Sequence, residues 1–329
     1  MAETALHEKL LALATAFWAS RSLHAIAELG VADALGESPL TAEQLAQATG
    51  ADPVALDRVL RLLAAHGIFE SKDGAWTHTA ASQLLRDDHP QSVRAFLRLM
   101  GLPFIWQSWA QMEHSLRTGE PGVTKLDAEG AFAYLAKHPE ESRIFNAGMA
   151  AKAHREIPAV LEAYDFSSFK RIADIGGGRG HLLLSILKTA PGASGVVFDQ
   201  PHVIAETPQT ETRLERQAGD FFHDRLPAAD AYLLMDILHD WNDTDAARIL
   251  TAIRRGAASG ATVLVIETVI PDTPGPHLAK ALDINMLVMT GGRERTAAEH
   301  EALLVSAGFR LKRVIPTPSP YTLVEATAV

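Results

Sequence analysis

The sequence predicts an α/β protein in which a doubly wound, mostly parallel sheet of seven strands follows a mainly α-helical domain of winged-helix type. Up to about residue 160 the apolar residues recur at helical spacing, whereas after Tyr164 short apolar runs alternate with helical segments. The 329 residues are long for one core and sufficient for two. We place the winged-helix domain at 1–90, a helical linker with pocket helices at 91–160, and the sheet domain at 161–329.

Start and stop signals divide the first ninety residues into short helices. Thr41 and Gln44 fit a capping box at the start of one helix, and Gly50 fits its end. Asp52 and Pro53 fit the start of the next helix. A ribbon-like stretch, SKDGAWTHTA, follows it. Helix, turn, helix and a small β-ribbon together predict a winged helix.

The charge of this domain argues against DNA as its partner. Residues 1–100 carry 12 acidic and 8 basic side chains, a surface that phosphate groups do not favour. A transcriptional regulator with a sensor domain is therefore the disfavoured alternative. Leu6, Leu10, Leu13 and Phe17 instead form an apolar stripe at helical spacing. An apolar helical module of this kind is expected to pack against a second copy of itself, which predicts a homodimer.

Composition argues against several further classes. The net charge of −10 disfavours nucleic acid and anionic membrane surfaces. The sequence has no cysteine, which excludes disulfides, zinc–thiolate sites and thiol chemistry and indicates the cytoplasm. The stretch LLALATAFWA imitates a signal-peptide core, but Glu3 and Glu8 precede it instead of a basic cluster. No apolar run reaches the roughly 18 residues of a membrane span, so we expect no membrane partner.

Seven apolar runs after Tyr164 are the predicted strands. Helical segments separate the first five, which predicts parallel pairing, and a polar helix is expected between the second and third. The last two, FRLKRVI and YTLVEA, are joined by a few Pro and Ser residues, which predicts a hairpin and one antiparallel strand. In chain order the first five runs are KRIADIGG, GASGVVFDQP, RQAGDFF, DAYLLMD and ATVLVIETVI.

The stretch DIGGGRG, from Asp174 to Gly180, lies at the first strand–helix turn of this sheet. Glycines there let the backbone approach a ligand closely, and the N-terminus of the following helix favours a negative group. Gly176 and Gly178 begin a G-x-G-x-G pattern, whereas a dinucleotide-binding turn has G-x-G-x-x-G and His181 replaces its third glycine. A tight structural turn that binds nothing is the alternative at this point.

Polar side chains also end the next strands. Asp199 ends the second strand, where a carboxylate can bind both hydroxyls of a ribose. Asp220 follows Gly219 at the end of the third strand, placed to accept a hydrogen bond from an adenine amino group beside the flat face of Phe221. The fourth strand leads into His239. Because parallel strands share one carboxyl edge, these residues predict an adenosine-sized ligand at that edge.

Taken together, the motifs resemble those of the small-molecule O-methyltransferases of the caffeic acid and bacterial polyketide type. The motifs are DIGGGRG, FDQP, GDFF, LHDW, GGRERT and FNAGM. The resemblance covers nearly the whole chain and implies a Rossmann-like methyltransferase fold. It also implies S-adenosylmethionine as cofactor, a dimer built by the N-terminal domain, and a hydroxyl of an aromatic or polyketide-like molecule as methyl acceptor.

The resemblance further implies that His239 is the catalytic base, flanked by Glu267 at the end of VLVIE and Glu294 in GGRERT. The chemistry agrees, because a phenol with a pKa near 10 is mostly protonated at neutral pH and attacks a methyl sulfonium poorly. A carboxylate from the next strand end could fix the tautomer of the imidazole. The alternative for His239 is a capping or core histidine, and the alternative for Glu267 is a strand end at solvent. Glu294 could instead form a surface ion pair with Arg293 or Arg295.

The remaining predicted contacts concern the cofactor and the acceptor. Asp236 stands where the family often has lysine, which alters the charge near the cofactor but leaves a backbone contact possible. Trp241 either covers the adenosine or packs in the core. Relatives that use the cofactor for hydroxylation, decarboxylation, pericyclic ring closure or N-methylation are the alternative, and the retained base with its two acids favours methyl transfer. A roomy, mostly apolar acceptor pocket is expected from Phe145, Met149, Asn285, Met286 and Met289.

Overall fold

The computed structural model describes residues 2–207 and 211–329. The chain forms two compact units. The first contains Met1–Trp106 and Leu135–Lys152, and the second contains Gln107–Tyr134 and Ala153–Val329. The segment 91–160 is therefore shared between both units, and its separate role as a linker stays a prediction.

Short helices and one β-hairpin make up the N-terminal part of the chain. Its strands, β1 (Phe69–Lys72) and β2 (Ala75–His78), pair antiparallel. The helices are α1 (Ala2–Thr15), α2 (Phe17–Leu29), α3 (Val31–Leu35), α4 (Ala42–Thr49), α5 (Pro53–Ala65), α6 (Ala80–Gln83), α7 (Arg94–Met100), α8 (Pro103–Trp109), α9 (Met112–Thr118), α10 (Ala131–Lys137) and α11 (Pro139–Ala163). The order α4, α5, β1, β2 agrees with the expected elements, while the winged-helix assignment itself stays a prediction.

The expected start and stop signals of α4 and α5 are confirmed. Thr41 Oγ1 accepts a hydrogen bond from the backbone N–H of Gln44, and the Gln44 side chain accepts one from the N–H of Thr41. Gly50 ends α4 with a φ of 70°, which glycine adopts without a Cβ penalty. Asp52 Oδ1 accepts the N–H of Ala55 at 2.8 Å and caps α5.

The apolar stripe near the N-terminus is exposed to solvent. Leu6, Leu10, Leu13 and Phe17 are 62%, 67%, 67% and 51% exposed. By length and composition alone, the helical stretch Thr4–Leu29 is long and apolar enough to cross a membrane. This differs from the expectation that no apolar run reaches the length of a membrane span. Core helices of soluble proteins and signal sequences pass the same test. The exposure of the stripe agrees with a surface that packs against a second copy.

The second unit is built on a sheet that contains seven strands among the described residues. The strands are β3 (Arg171–Ile175), β4 (Ser194–Asp199), β5 (Leu214–Ala218), β6 (Ala231–Met235), β7 (Thr262–Glu267), β10 (Phe309–Pro316) and β11 (Thr322–Ala328), and a separate parallel pair is formed by β8 (Val269–Ile270) and β9 (Arg295–Thr296). The helices are α12 (His181–Thr189), α13 (Pro201–Ile204), α14 (Asp243–Gly256), α15 (Leu278–Met289) and α16 (Ala297–Ser306).

The strand order is β10-β11-β7-β6-β3-β4-β5. Only β11 runs against its neighbours in this sheet of the described chain, which confirms the predicted hairpin with one antiparallel strand. The direction of strand addition reverses between β3 and β6, and ligands of open α/β sheets bind at such a point. Of the polar helix expected after β4, the structure shows the short α13, and 208–210 lie outside the described residues.

Alternate residues of each central strand pack into opposite apolar layers. In β6, Tyr232 and Leu234 pack in the layer that contains α14 and α16. Leu233, between them, packs in the layer that contains α12 and the C-terminal part of α11. Because both faces of the sheet are covered, the central strands β3, β4, β6 and β7 are mostly apolar, and their acidic side chains lie at or near their carboxyl ends.

Candidate active site

Five acidic residues lie at one edge of the sheet. Neighbouring strands are in register there, since Asp199 pairs with Ala218 and Met235 with Ile266. The strands β5, β4, β3, β6 and β7 are all parallel, so their carboxyl ends meet at this edge. The acidic residues there are Asp174 in β3, Asp199 at the end of β4, Asp220 after β5, Asp236 after β6 and Glu267 at the end of β7.

The glycine turn after β3 combines close packing with open space. A Cβ at Gly176 would lie 2.4 Å from Ile237 Cδ1, and one at Gly177 would lie 2.6 Å from Asp174 Cγ. These two glycines therefore let the turn pack on its neighbours. Gly178 has a φ of 57°, and a Cβ there would meet no described atom within 4 Å. The turn thus borders a space that a ligand can occupy.

Two carboxylates lie beneath this turn. Asp199 Oδ2 accepts the backbone N–H of Gly178 at 2.8 Å, and its Oδ1 accepts that of Gln200 at 2.7 Å. Asp174 is 2% exposed, and its Oδ2 has no hydrogen-bond partner among the residues described. Burial and then the charge of Asp199 raise the pKa of Asp174 to about 7. A buried acceptor of this kind fits a ligand that brings a hydrogen-bond donor.

Aromatic rings surround the end of β5. Asp220 Oδ1 accepts the backbone N–H of Phe222 at 2.8 Å. The Trp241 ring makes edge contacts with Phe221 and Phe222, with centroid distances of 5.8 and 4.7 Å. A Cβ at Gly219 would lie 2.7 Å from the ring of Phe198, which explains the glycine before Asp220. Trp241 therefore packs in an aromatic cluster beside the predicted adenine position.

His239 lies on a short 3₁₀ helix, Leu238–Asp240, which follows β6. Its Nδ1 is 2.8 Å from Glu294 Oε1, and both residues are buried. A carboxylate only accepts hydrogen bonds, so Nδ1 carries a hydrogen and Nε2 is the nitrogen that can take a proton. Nε2 is 3.9 Å from Oδ1 of Asp236 and 3.9 Å from Oδ1 of Asp240. The ring is thus fixed on one side, and its other nitrogen has acidic groups around it.

Glu267 contacts the backbone that carries the imidazole. Its Oε1 accepts the N–H of Ile237 at 3.2 Å and the N–H of His239 at 3.0 Å. Glu267 is 1% exposed, and burial raises its pKa to about 7. The carboxylate of the next strand end therefore positions the peptide backbone, while Glu294 positions the ring.

Sequence reasoning missed the residues that hold Glu294. Thr268 Oγ1 donates to Glu294 Oε2 at 2.9 Å, and Asp283 Oδ1 accepts the N–H of Glu294 at 3.0 Å. Thr268 directly follows Glu267 in the sequence, and this adjacency was the one signal that could have indicated its place in the site. Arg295, considered above as a surface ion-pair partner, is 1% exposed and donates to the carbonyl oxygens of Leu238 and Trp241 at 3.0 and 2.9 Å. Instead of pairing with Glu294, its guanidinium binds both ends of the 3₁₀ helix.

These contacts change the proton affinity of His239. Burial disfavours the imidazolium, but the hydrogen bond to Glu294 and the nearby carboxylates outweigh it and raise the pKa of His239 to about 10. The nearby carboxylates belong to Asp240, Asp236 and Glu267. A base with a raised pKa accepts the proton of a phenol, whose pKa is near 10, more readily than an imidazole of ordinary pKa 6.5 does. The site therefore makes His239 a stronger base.

The Glu294→Gln variant is expected to shift the pH profile. The base must be neutral to accept a proton, so activity rises as pH increases through its pKa. Removing the negative charge lowers the pKa of His239, and the acidic limb of kcat/KM moves to lower pH. The plateau of kcat/KM at high pH falls as well, because the neutral imidazole is then a weaker base. The pH dependence of kcat/KM for native protein, Glu294→Gln and the exposed control Glu301→Gln measures this, and an unmoved limb would contradict it.

The predicted acceptor-pocket residues lie on two helices. In the second unit, α15 carries Asn285, Met286 and Met289. The Asn285 side chain accepts a hydrogen bond from Trp109 Nε1 at 3.0 Å, and both methionines are buried. In the first unit, α11 carries Phe145 and Met149, which are half-buried. Their shared role in one pocket stays a prediction.

Comparison with known proteins shows the family. An O-methyltransferase domain matches residues 109–310, and an O-methyltransferase dimerisation domain matches 11–88. Phenazine O-methyltransferase PhzM of Lysobacter antibioticus is 40% identical over 328 residues, which cover 97% of this chain and 96% of that protein.

Two solved structures agree with this. LaPhzM has a TM-score of 0.92 at 39% identity, covering 98% of this chain and 99% of that one. Human N-acetylserotonin methyltransferase in complex with SAM has a TM-score of 0.90 at 31% identity, covering 98% and 97%. The chain therefore belongs to the O-methyltransferase family and carries that family's dimerisation domain.

Proposed function

We propose that this enzyme transfers a methyl group from S-adenosylmethionine to a hydroxyl of an aromatic or polyketide-like small molecule, with His239 as the base. One observation carries the proposal. Nδ1 of His239 is fixed by the buried Glu294, which leaves Nε2 to take a proton at the edge where the glycine turn lies. The family supports methyl transfer as the reaction.

The residues at the sheet edge fit the cofactor. The buried Asp174 oxygen and the open space at Gly178 match a ligand with donor groups, and Gly176 shapes the same turn.

The following strand ends hold the adenosine part of the cofactor. Asp199 accepts the ribose hydroxyls, and Asp220 after Gly219 accepts the adenine amino group beside Phe221. The Asp236 backbone contacts the cofactor, and Trp241, which packs beside Phe221, covers the adenosine. S-adenosylmethionine supplies an electrophilic methyl group on a positively charged sulfur.

The chain's own residues position the acceptor and remove its proton. His239 accepts the hydroxyl proton at Nε2, a role that contributes about 10²–10⁴ in rate. The surrounding carboxylates stabilise the imidazolium that forms. Glu294 and Glu267 are positioning residues, because one fixes the ring and the other the backbone. Alignment of the reacting groups can contribute up to about 7–11 kcal/mol, so positioning outweighs the base.

We infer that the protein acts as a homodimer through its N-terminal domain. The dimerisation domain at 11–88 includes part of the exposed apolar stripe, and burying those side chains against a second copy removes them from water. The absence of cysteine from the sequence supports a cytoplasmic location for this enzyme.

A labelling experiment tests the proposed function. Native protein is incubated with S-adenosylmethionine that carries a labelled methyl group and with a panel of phenols, naphthols and hydroxylated polyketides. Label is expected in an O-methylated product, and the His239→Ala variant is the control. Absence of label from every acceptor, with binding of the cofactor retained, would contradict methyl transfer by this chain.

The cofactor assignment has its own test in the Asp199→Asn variant. A hydrogen bond to a charged group contributes about 1.5–3 kcal/mol, so its loss is expected to weaken S-adenosylhomocysteine binding by about 10- to 150-fold. Isothermal titration calorimetry measures the dissociation constant, with the exposed Asp272→Asn as the matched control. Equal affinities of both variants would place the ribose elsewhere.

A further inference from the structure

Asp236 occupies an unusual backbone position between β6 and the 3₁₀ helix that carries His239. Its φ is +54°, in the left-handed region that residues other than glycine rarely adopt. Asp and Asn are the side-chain-bearing residues that tolerate this region best, although it still costs free energy. Non-glycine residues in such conformations cluster at functional sites, where the surrounding structure holds them.

Tyr321 holds the side chain of Asp236. Its hydroxyl donates a hydrogen bond to Asp236 Oδ2, although the two residues are 85 positions apart in sequence. Tyr321 is 2% exposed and immediately precedes β11. Burial and then the charge of Asp236 raise the pKa of Tyr321 well above its ordinary value, so the phenol remains a donor. The carboxylate therefore has a fixed orientation.

The other oxygen of this carboxylate lies beside the proposed base. Asp236 Oδ1 is 3.9 Å from His239 Nε2, which is too long for a direct hydrogen bond. A group located between these two atoms can reach both. A carboxylate oxygen accepts more than one hydrogen bond, so its other contacts leave this one possible. The Asp236 side chain is 13% exposed, which keeps its charge in a poorly solvated place.

This arrangement constrains the acceptor, given the proposed function. The oxygen that loses its proton to Nε2 lies within hydrogen-bond distance of Nε2, and hence near Asp236 Oδ1. As that oxygen becomes negative, the carboxylate repels it. A hydroxyl or amino group on the adjacent ring carbon removes the conflict, because it donates a charge-assisted hydrogen bond to Asp236.

We propose that Asp236, oriented by Tyr321, is a specificity-determining residue that selects acceptors with a hydrogen-bond donor on the ring carbon next to the methylated oxygen. The inference rests on the proposed function, because it places the acceptor at Nε2 of His239. It assigns the Asp236 side chain to the acceptor, while the Asp236 backbone stays with the cofactor. A carboxylate substituent at the same ring position is disfavoured, because two negative groups would then meet.

Binding measurements test this separately from methyl transfer. Native protein saturated with S-adenosylhomocysteine is titrated with 2,3-dihydroxynaphthalene, 2-naphthol and 3-hydroxy-2-naphthoate. The diol is expected to bind at least about tenfold more tightly than 2-naphthol, and the naphthoate less tightly than either. Equal dissociation constants for the diol and 2-naphthol, or no binding of either, would overturn the proposal.

Two variants assign the preference to its residues. In Asp236→Asn the diol and 2-naphthol are expected to bind within about threefold of each other, because the charge is lost while Tyr321 keeps an acceptor. Tyr321→Phe keeps the charge but frees its orientation, so the preference is expected to fall by a smaller factor. A preference unchanged in both variants would overturn the assignment. Label transfer measured on the same native sample reports on the proposed function. A failure of the specificity proposal can therefore be distinguished from a failure of the proposed methyl transfer.

Discussion

Replacing His239 is expected to lower kcat/KM by about 10²–10⁴. The ring is the group placed to take the proton, and the residual rate reflects binding and alignment of the reactants. The alanine variant leaves Glu294 without the Nδ1–H donor in a buried place, which also costs stability. His239→Asn is therefore the sharper variant, because its amide can still donate to Glu294 but has no basic nitrogen to accept a proton.

The measurement combines kinetics with stability. The kcat/KM for a methylated acceptor is compared among native protein, His239→Ala, His239→Asn and the exposed control His66→Ala. The thermal midpoint and the affinity for S-adenosylhomocysteine are recorded for each. We expect His239→Asn to lose activity with little change in either. Native-like turnover of that variant would show that another group removes the proton.

The second large effect is expected for Gly292→Ala, a change outside the predicted catalytic set. A Cβ at Gly292 would lie 2.0 Å from the carbonyl oxygen of His239 and 2.6 Å from the backbone nitrogen of Trp241. These are backbone atoms, so the added methyl displaces the whole 3₁₀ helix that carries the base. A displacement of about 1 Å at a catalytic group costs on the order of 10² in rate. Overpacking also destabilises the fold by about 1–3 kcal/mol.

Gly192→Ala is the matched control, since a Cβ there would meet no described atom within 4 Å and its φ is not left-handed. The variants are compared by kcat, by thermal midpoint and by S-adenosylhomocysteine affinity. We expect Gly292→Ala to lose about 10² in kcat at a temperature where it remains folded. If its kcat equals that of Gly192→Ala, the contact between the Gly292 loop and the His239 segment does not position the base.

Much of the architecture follows from local patterns in the sequence. Capping residues such as Thr41 and Asp52 interact with backbone groups three residues away, so their roles are predictable without tertiary information. The alternation of apolar strands and helices predicts the sheet, because burial on both faces requires it. The exposure of the apolar stripe on α1 and α2 is likewise consistent with the expected dimer surface.

The partners within the site were not predictable in the same way. The carboxylate of the next strand end, Glu267, was expected to hold the imidazole, yet it binds backbone N–H groups. Glu294 holds the ring from 55 residues away, in a loop without hydrophobic periodicity. A charged residue in such a loop is equally typical of a surface ion pair. The burial of Glu294, which is 1% exposed, depends on how distant segments pack.

The sequence by itself determined the order of strands and helices, the glycine turn, and the placing of acidic residues and His239 at one edge of the sheet, because periodicity and turn chemistry are local. The tertiary structure alone decided which acid contacts which atom, how Tyr321 orients Asp236, and why Gly292 has no room for a side chain. The contact of Glu267 with His239 joins residues 28 positions apart, and that of Tyr321 with Asp236 joins residues 85 positions apart. Their geometry depends on packing at the scale of single atoms, which no spacing in the sequence encodes.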